Sequence, residues 1–393
     1  MEQTLVKPEK RLEKVREYLF FTYLAIFPLG QLLKFRVSLI NFSLPLHLAD
    51  IIIVIFALTN LFGKKSGFFW IPIFSYIFSF TIFKPYQLIV GGLYLLRLIF
   101  YVQFSTSVYK LVKDQKIKKD LLFDSLLSIS FFIGFYGLLQ YFLYPDIRGM
   151  TILGWDDHLY RLVSTFLDPG FTAIFLVFGF LVSFSKFLEG KGKRFLAICT
   201  FLTLSLALTY SRAGYLAFIS GSLALLALYK KITKIVPIIV IFVIILLFIP
   251  NYGSEGVRLG RTKSIVARIV SYQEGFSIFK ESPVFGVGYN NLCVAKEKFL
   301  GQPVNFESHA CSGVESGFLT ILATTGMMGS IIFVYLLIKH FSVMPQNMYG
   351  KTLSSVIVSL LTHNFFINSI FYPWVMGYIG VLIAITSRSK RDA

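Results

Sequence analysis

Arg212 stands in LTYSRAGYLAF, where one apolar run ends and the next begins after almost no loop. Its guanidinium therefore falls at the boundary of those runs, where five N–H donors in a fixed fork suit a phosphate or anchor a helix end. In RLVSTFLDPG, at 161–170, Asp168 precedes a proline that can start a helix. Asp168 reads as an N-cap, which leaves Arg161 as a candidate phosphate ligand. Arg97 sits in the middle of LYLLRLIFYV. About 12 residues, or about 18 Å at ~1.5 Å per residue, separate it from either end of its run, too far for its side chain to reach an interface. It must face protein or water, in an ion pair or in a functional site. Glu315 enters the run ESGFLTILATTGMMG, where an acid in a first helical turn is favoured by the dipole. His309 is a weaker candidate, because a loop histidine is usually solvated. Tyr289, in PVFGVGYNNL, completes the set.

The elements that position these residues follow from composition. Of 393 residues, 55% are hydrophobic and 15% charged, with 43 Phe against 20 acidic residues, far from the roughly 25% charged usage of soluble domains. Apolar runs of about 20 residues recur, the length that crosses a ~30 Å hydrocarbon core, so the chain reads as an all-α polytopic membrane protein. A β-barrel is excluded because stretches such as Ile238 to Ile249 are apolar on every face. Twelve spans are expected, near 18–34, 46–63, 67–84, 85–109, 121–143, 165–187, 194–211, 213–230, 234–250, 314–338, 352–370 and 373–387. They form one transmembrane domain over 1–393, with a long outer loop at 251–313. The basic N-terminus runs into its first apolar stretch without a small-residue cleavage signal and reads as a retained helix.

Orientation comes from the loops. With the N-terminus cytoplasmic, 24 of the 38 basic residues fall in inner segments, among them Lys7 to Arg16, Lys110 to Lys119, Lys186 to Arg194, Lys230 to Lys234 and Arg388 to Arg391. Both termini are then inside, as the positive-inside rule requires. Of the 14 others, seven lie in the outer loop, including Arg258, Arg261, Arg268 and Lys296, and a basic outer surface asks for an anionic partner. The net charge of +18 is thus chiefly topological rather than a sign of nucleic acid. In the same loop, Ile269, Tyr272, Phe276 and Phe279 form a helical stripe that could lie on the membrane surface. Cys293 and Cys311, with 17 residues between them, share an oxidising compartment and can form a disulfide, while Cys199 lies inside a span. The cysteine spacing gives no metal framework, and the chain has no GxxxxGK[ST], HExxH or GxGxxG pattern. No cofactor is implied.

Four segments in succession, RLVSTFLDPG at 161–170, TYSRAGYL at 209–216, ARIVSYQEGFSIFKESPVFGVGYNN at 267–291 and ESGFLTILATTGMMG at 315–329, resemble the bacterial O-antigen ligase and O-antigen polymerase family. The resemblance covers roughly residues 155–340. It implies a metal-independent glycosyltransferase of the inner membrane that uses an undecaprenyl-pyrophosphate-linked glycan donor on the periplasmic side. Arg212 and Arg268 would hold the pyrophosphate, with Arg161, Arg97, His309 and Tyr289 as further substrate contacts. Ligase members carry a His followed by Asn, Ser or Gln eleven and ten residues before the first Gly of the terminal GxxG, where this chain has Glu315 and Ser316 before Gly326. The departure favours a polymerase, in which the Glu315 carboxylate activates an acceptor sugar hydroxyl. Arginines nearby would hold its acidity, so positioning rather than a large pKa shift should carry the effect. The alternatives are a ligase that delivers the glycan to lipid A core, a transporter or flippase, and a non-catalytic assembly subunit. The expected partners are the lipid-linked donor, a glycan or lipid A core acceptor and membrane lipids.

Overall fold

A computed structural model of the chain describes residues 8–39, 42–59, 70–153, 155–250, 252, 254–304, 306, 311 and 313–386. A helix falls on each of the twelve apolar stretches. In chain order these are α1 (Pro8–Ile26), α2 (Leu48–Leu58), α3 (Trp70–Phe78), α4 (Ile89–Lys113), α5 (Lys119–Leu143), α6 (Pro169–Leu188), α7 (Arg194–Ala207), α8 (Arg212–Leu228) and α9 (Ile235–Phe248). After the long 251–313 segment, within which lie α10 (Lys263–Glu281) and α11 (Leu292–Leu300), come α12 (Gly317–Val343), α13 (Met348–Asn364) and α14 (Pro373–Ile385). Among the described residues, four helical stretches, Pro85–Lys113, Lys119–Leu143, Pro169–Leu188 and Gly317–Val343, have the length and apolarity to cross a membrane. The protein is a helical, membrane-embedded one, because in hydrocarbon such runs can satisfy their backbone only as helices.

Helix α6 is the central post, buried on nearly every face against α5, α7, α8 and α13. It starts where Asp168 accepts a hydrogen bond from the Phe171 amide at 2.7 Å with Pro169 at the first helical position, as its sequence predicts. Ser211 caps α8 and Ser316 caps α12 in the same way. Aromatic edges lock the centre: the Phe27 ring meets Phe175 at 5.6 Å and Trp374 at 5.2 Å, both T-shaped. At one end the charged loops converge, with Lys116 pairing with Glu13 at 3.1 Å and the Tyr349 hydroxyl donating to Asp120 at 2.7 Å. Lys186 pairs with Asp124 at the same end.

Among the described residues, the fold departs from all-α at one pair of strands. Strands β1 (Lys34–Leu39) and β2 (Phe42–His47) form an antiparallel hairpin, with Lys34 opposite His47 and Leu39 opposite Phe42. Apolar residues alternate along both strands, at 35, 37 and 39 and at 42, 44 and 46, which is a strand period rather than a helical one. Pro45 is tolerated because the pair has no third strand to which β2 must donate.

The second departure is in α12, which is interrupted at Gly326 (φ 65°). The loop at 283–288 lies against this break: the Val287 amide donates to the Ala323 carbonyl at 2.9 Å and the Met327 amide to the Pro283 carbonyl at 2.9 Å. A Cβ at Gly326 would stand 2.3 Å from the Val284 carbonyl oxygen, and one at Gly286 (φ 72°) 2.3 Å from the Thr324 carbonyl carbon. The two glycines let two backbones touch, and this contact binds the 283–288 loop to α12.

Arg97 finds its partner in Asp50 of α2, donating to it through Nε at 2.8 Å and through Nη2. Tyr101 donates to the same carboxylate at 2.9 Å, and His47 joins Asp50 to Gln31, which reaches the Tyr372 hydroxyl at 2.7 Å. The ion-pair use of Arg97 is thus realised, although the residue also reaches the cavity described below. Breaking a buried pair on one side strands the other charge. Arg97→Met should therefore cost about 3 kcal/mol of stability, and the Arg97→Met/Asp50→Leu double variant less than the single one. Thermal unfolding in detergent checks the order, and equal losses would contradict it.

Candidate functional site

A cavity of about 880 Å³ opens among the hairpin, the 155–171 segment, the start of α8, helix α10 and the 366–376 segment. Arg97, Arg161, Arg212, Arg268, Tyr289 and Glu315 all line it, although more than 200 residues separate the first from the last. His309 lies outside the described residues.

Three arginines gather around the turn between α7 and α8. Arg161 donates through Nε to the Thr209 carbonyl at 3.1 Å and is 8% exposed. Arg261 donates through Nη2 to the Tyr210 carbonyl at 3.2 Å and through Nη1 to the Gly256 carbonyl at 2.8 Å. Arg212 holds the carbonyls of Leu259 and Arg261, each at 3.1 Å, and the Ser264 hydroxyl at 2.7 Å. These bonds fix the guanidinium groups without using all five donors of any of them. Burial, then the charges of Arg212 and Arg268, pushes Arg261 below its ordinary value, and burial with Arg261 brings Arg161 down to about 10. Cations held this close repel one another, a repulsion that a negative charge between them would relieve.

Arg268, on α10, brings the fourth guanidinium. Its Nε lies 3.3 Å from a Glu315 carboxylate oxygen, close enough for an ion pair but not in hydrogen-bond geometry, and the Phe366 ring lies 5.9 Å from the guanidinium. Glu315 does not cap α12. Ser316 does, and Glu315 stands just outside the helix with its amide donating to the Ser271 hydroxyl at 3.0 Å. The first-turn capping expected from the sequence is thus replaced by a carboxylate that faces the cavity and half of which is exposed. Its surroundings raise its pKa, desolvation outweighing the pull of Arg268, so the arginine does not set the direction as the sequence implied.

On the opposite wall, Tyr289 is buried with its ring edge-on to Phe371 at 5.3 Å, and Lys296 pairs with Glu274 at 3.1 Å. Cys293 and Cys311 are bonded, with Cα atoms 4.6 Å apart, while Cys199 is buried and free. The bond ties α11 to the segment four residues before Glu315. The expected surface stripe on α10 divides: Tyr272 and Phe279 pack against a small separate core, whereas Ile269 and Phe276 are exposed. Arg261 was not singled out as a ligand by sequence, and its one signal was membership of the basic run from Arg258 to Arg268. Asp156 and His158, in WDDH, had no motif to mark them, yet both line the cavity beside Asp168.

Fold and cavity define a membrane-embedded helical protein with a group of arginines around a cavity at one end of its bundle. Residues 195–334 match the O-antigen ligase family model, which supports assignment to the O-antigen ligase and polymerase family whose order of segments the chain reproduces. Arg212, Arg261, Arg268, Tyr289 and Glu315 lie inside the match, and Arg97 and Arg161 outside it. Among curated proteins, none matches the chain.

Proposed function

We propose that the protein polymerises undecaprenyl-pyrophosphate-linked oligosaccharides at this cavity, on the periplasmic face of a bacterial inner membrane. The observation that carries the reading is the gathering of Arg161, Arg212, Arg261 and Arg268 beside Glu315 in one cavity. A hydroxyl of the acceptor glycan attacks the anomeric carbon of the donor, the bond from that carbon to the pyrophosphate oxygen breaks, and the hydroxyl proton passes to Glu315. The arginines neutralise the charge gathering on the departing undecaprenyl pyrophosphate. The donor already carries the driving energy, which fits a chain without a nucleotide motif.

Glu315 in place of the ligase histidine favours a polymerase over a ligase, and the cationic group favours either over a transporter. Purified protein with a lipid-linked glycan separates them: longer glycans are expected, whereas transfer to lipid A core would mean a ligase and flux alone a transporter.

The placement requires twelve crossings with both termini cytoplasmic. It is supported by the meeting of Glu13, Lys116, Asp120, Asp124 and Lys186 at the end of the bundle away from the cavity-lining loops. A cysteine replacing Ser254 should be labelled from outside and one replacing Lys116 only from inside. The reverse pattern would overturn the orientation.

A further inference from the structure

We propose that Lys296 of α11 is a positioning residue, which fixes the backbone that carries Glu315 against α10. This rests on the reading of Glu315 as the general base and supplies what that reading requires. Glu315 stands outside α12, and residues 313–316 lie in no helix or strand. A base on irregular backbone is placed only by what that backbone touches.

Each residue of this short stretch has a hold. The Lys296 ammonium donates to the Gly313 carbonyl at 3.2 Å. Val314 is buried, and a Cβ at Gly275 of α10 would stand 2.9 Å from one of its methyl carbons. The Glu315 amide donates to the Ser271 hydroxyl at 3.0 Å, and Ser316 caps α12. Just upstream, Cys311 is bonded to Cys293, which lies three residues before Lys296 on α11 and so on the same face of that helix.

The partner of Lys296 shows what the hold is for. The residue is 5% exposed, and a buried ammonium needs a counter-charge, which Glu274 of α10 provides at 3.1 Å. The Gln302 amide fixes that carboxylate from another side at 2.7 Å. Lys296 therefore joins the Gly313 carbonyl to the helix that carries Arg268. Arg268, Ser271 and Gly275 recur along α10 at three- and four-residue intervals and share a face. The 313–315 stretch lies along this face, so the 3.3 Å between the Glu315 carboxylate and the Arg268 guanidinium depends on how firmly Lys296 holds it there. Base and phosphate ligand then share one rigid reference, as a reaction at the bond between sugar and pyrophosphate demands.

Two readouts on the purified full-length protein in detergent test this. The first needs no glycan: amide hydrogen exchange at 313–316 should quicken about tenfold or more in Lys296→Met, with exchange in α6 unchanged. The second is elongation of lipid-linked oligosaccharides extracted from the native host. Lys296→Met should lower kcat about 10²-fold, the cost of misplacing a reacting group by about 1 Å, with KM for the donor unchanged. In a Glu315→Gln background the same change should cost less than about twofold, because a positioning residue has nothing to act through once its target is gone. Lys296→Met/Glu274→Gln strands no carboxylate and should behave alike, which covers a single variant that fails to fold. Parent-like exchange at 313–316, an equal kcat loss with and without the Glu315 carboxylate, or a raised KM in place of a lowered kcat would overturn the positioning role. A parent-like rate for Glu315→Gln itself would sink the base reading, and quickened exchange in Lys296→Met would then show the hold to be structural only.

Discussion

Glu315→Gln is expected to bind the lipid-linked donor normally and to lengthen glycans about 10²–10⁴ times more slowly, the usual loss when a general base is removed. The amide keeps the shape of the carboxylate. Because Ser316 rather than Glu315 caps α12, the substitution also leaves the helix start intact, and unchanged thermal unfolding should accompany the slow turnover. The pH profile adds a second readout. The base works only when ionised, and its pKa is raised by its surroundings, so activity should fall with decreasing pH at a value above that of an ordinary glutamate. Glu315→His should recover part of the rate and move that limb toward the range of histidine, near ~6.5. A parent-like rate for Glu315→Gln would remove Glu315 from the chemistry.

Arg212→Lys and Arg268→Lys should each lower turnover by about 10²–10³, the effect of losing one donor to a developing oxyanion. Lysine keeps the charge but not the fork, so a deficit in both variants reads the geometry rather than the potential. The two should differ in their side effects. Arg212 also holds the carbonyls of Leu259 and Arg261, so its lysine variant should loosen the 256–264 segment, with faster amide hydrogen exchange there. Among the described residues Arg268 makes no such bond to backbone, and its variant should lose turnover with exchange unchanged in that segment. Near-normal turnover in both would reject the phosphate role.

The apolar period made every long helix legible, and Asp168–Pro169 announced the start of α6, because capping is local chemistry. What stayed hidden depends on contacts between distant segments. Nothing near Gly326 in sequence says that the carbonyl of Val284 approaches it, so α12 reads as continuous. The hairpin at 34–47 was concealed because, in a chain this apolar, a short alternating stretch looks like the margin of a span. Arg97 could be recognised as needing a partner but not paired, since Asp50 lies 47 residues away. Arg212 and Glu315 were legible from the order of motifs, whereas Arg261 depended on the fold of a long loop. The carboxyl of Glu315 shows a further limit: the sequence names Arg268 as a neighbour but not the wall that desolvates the acid and sets the direction of its pKa.

The most direct test is a density map of the protein with undecaprenyl pyrophosphate bound. The diphosphate is expected between Arg212 and Arg268, with Arg161 and Arg261 behind it, Glu315 facing the bridging oxygen, and the lipid tail leaving toward the membrane. A diphosphate bound elsewhere, with the arginine group unengaged, would contradict it.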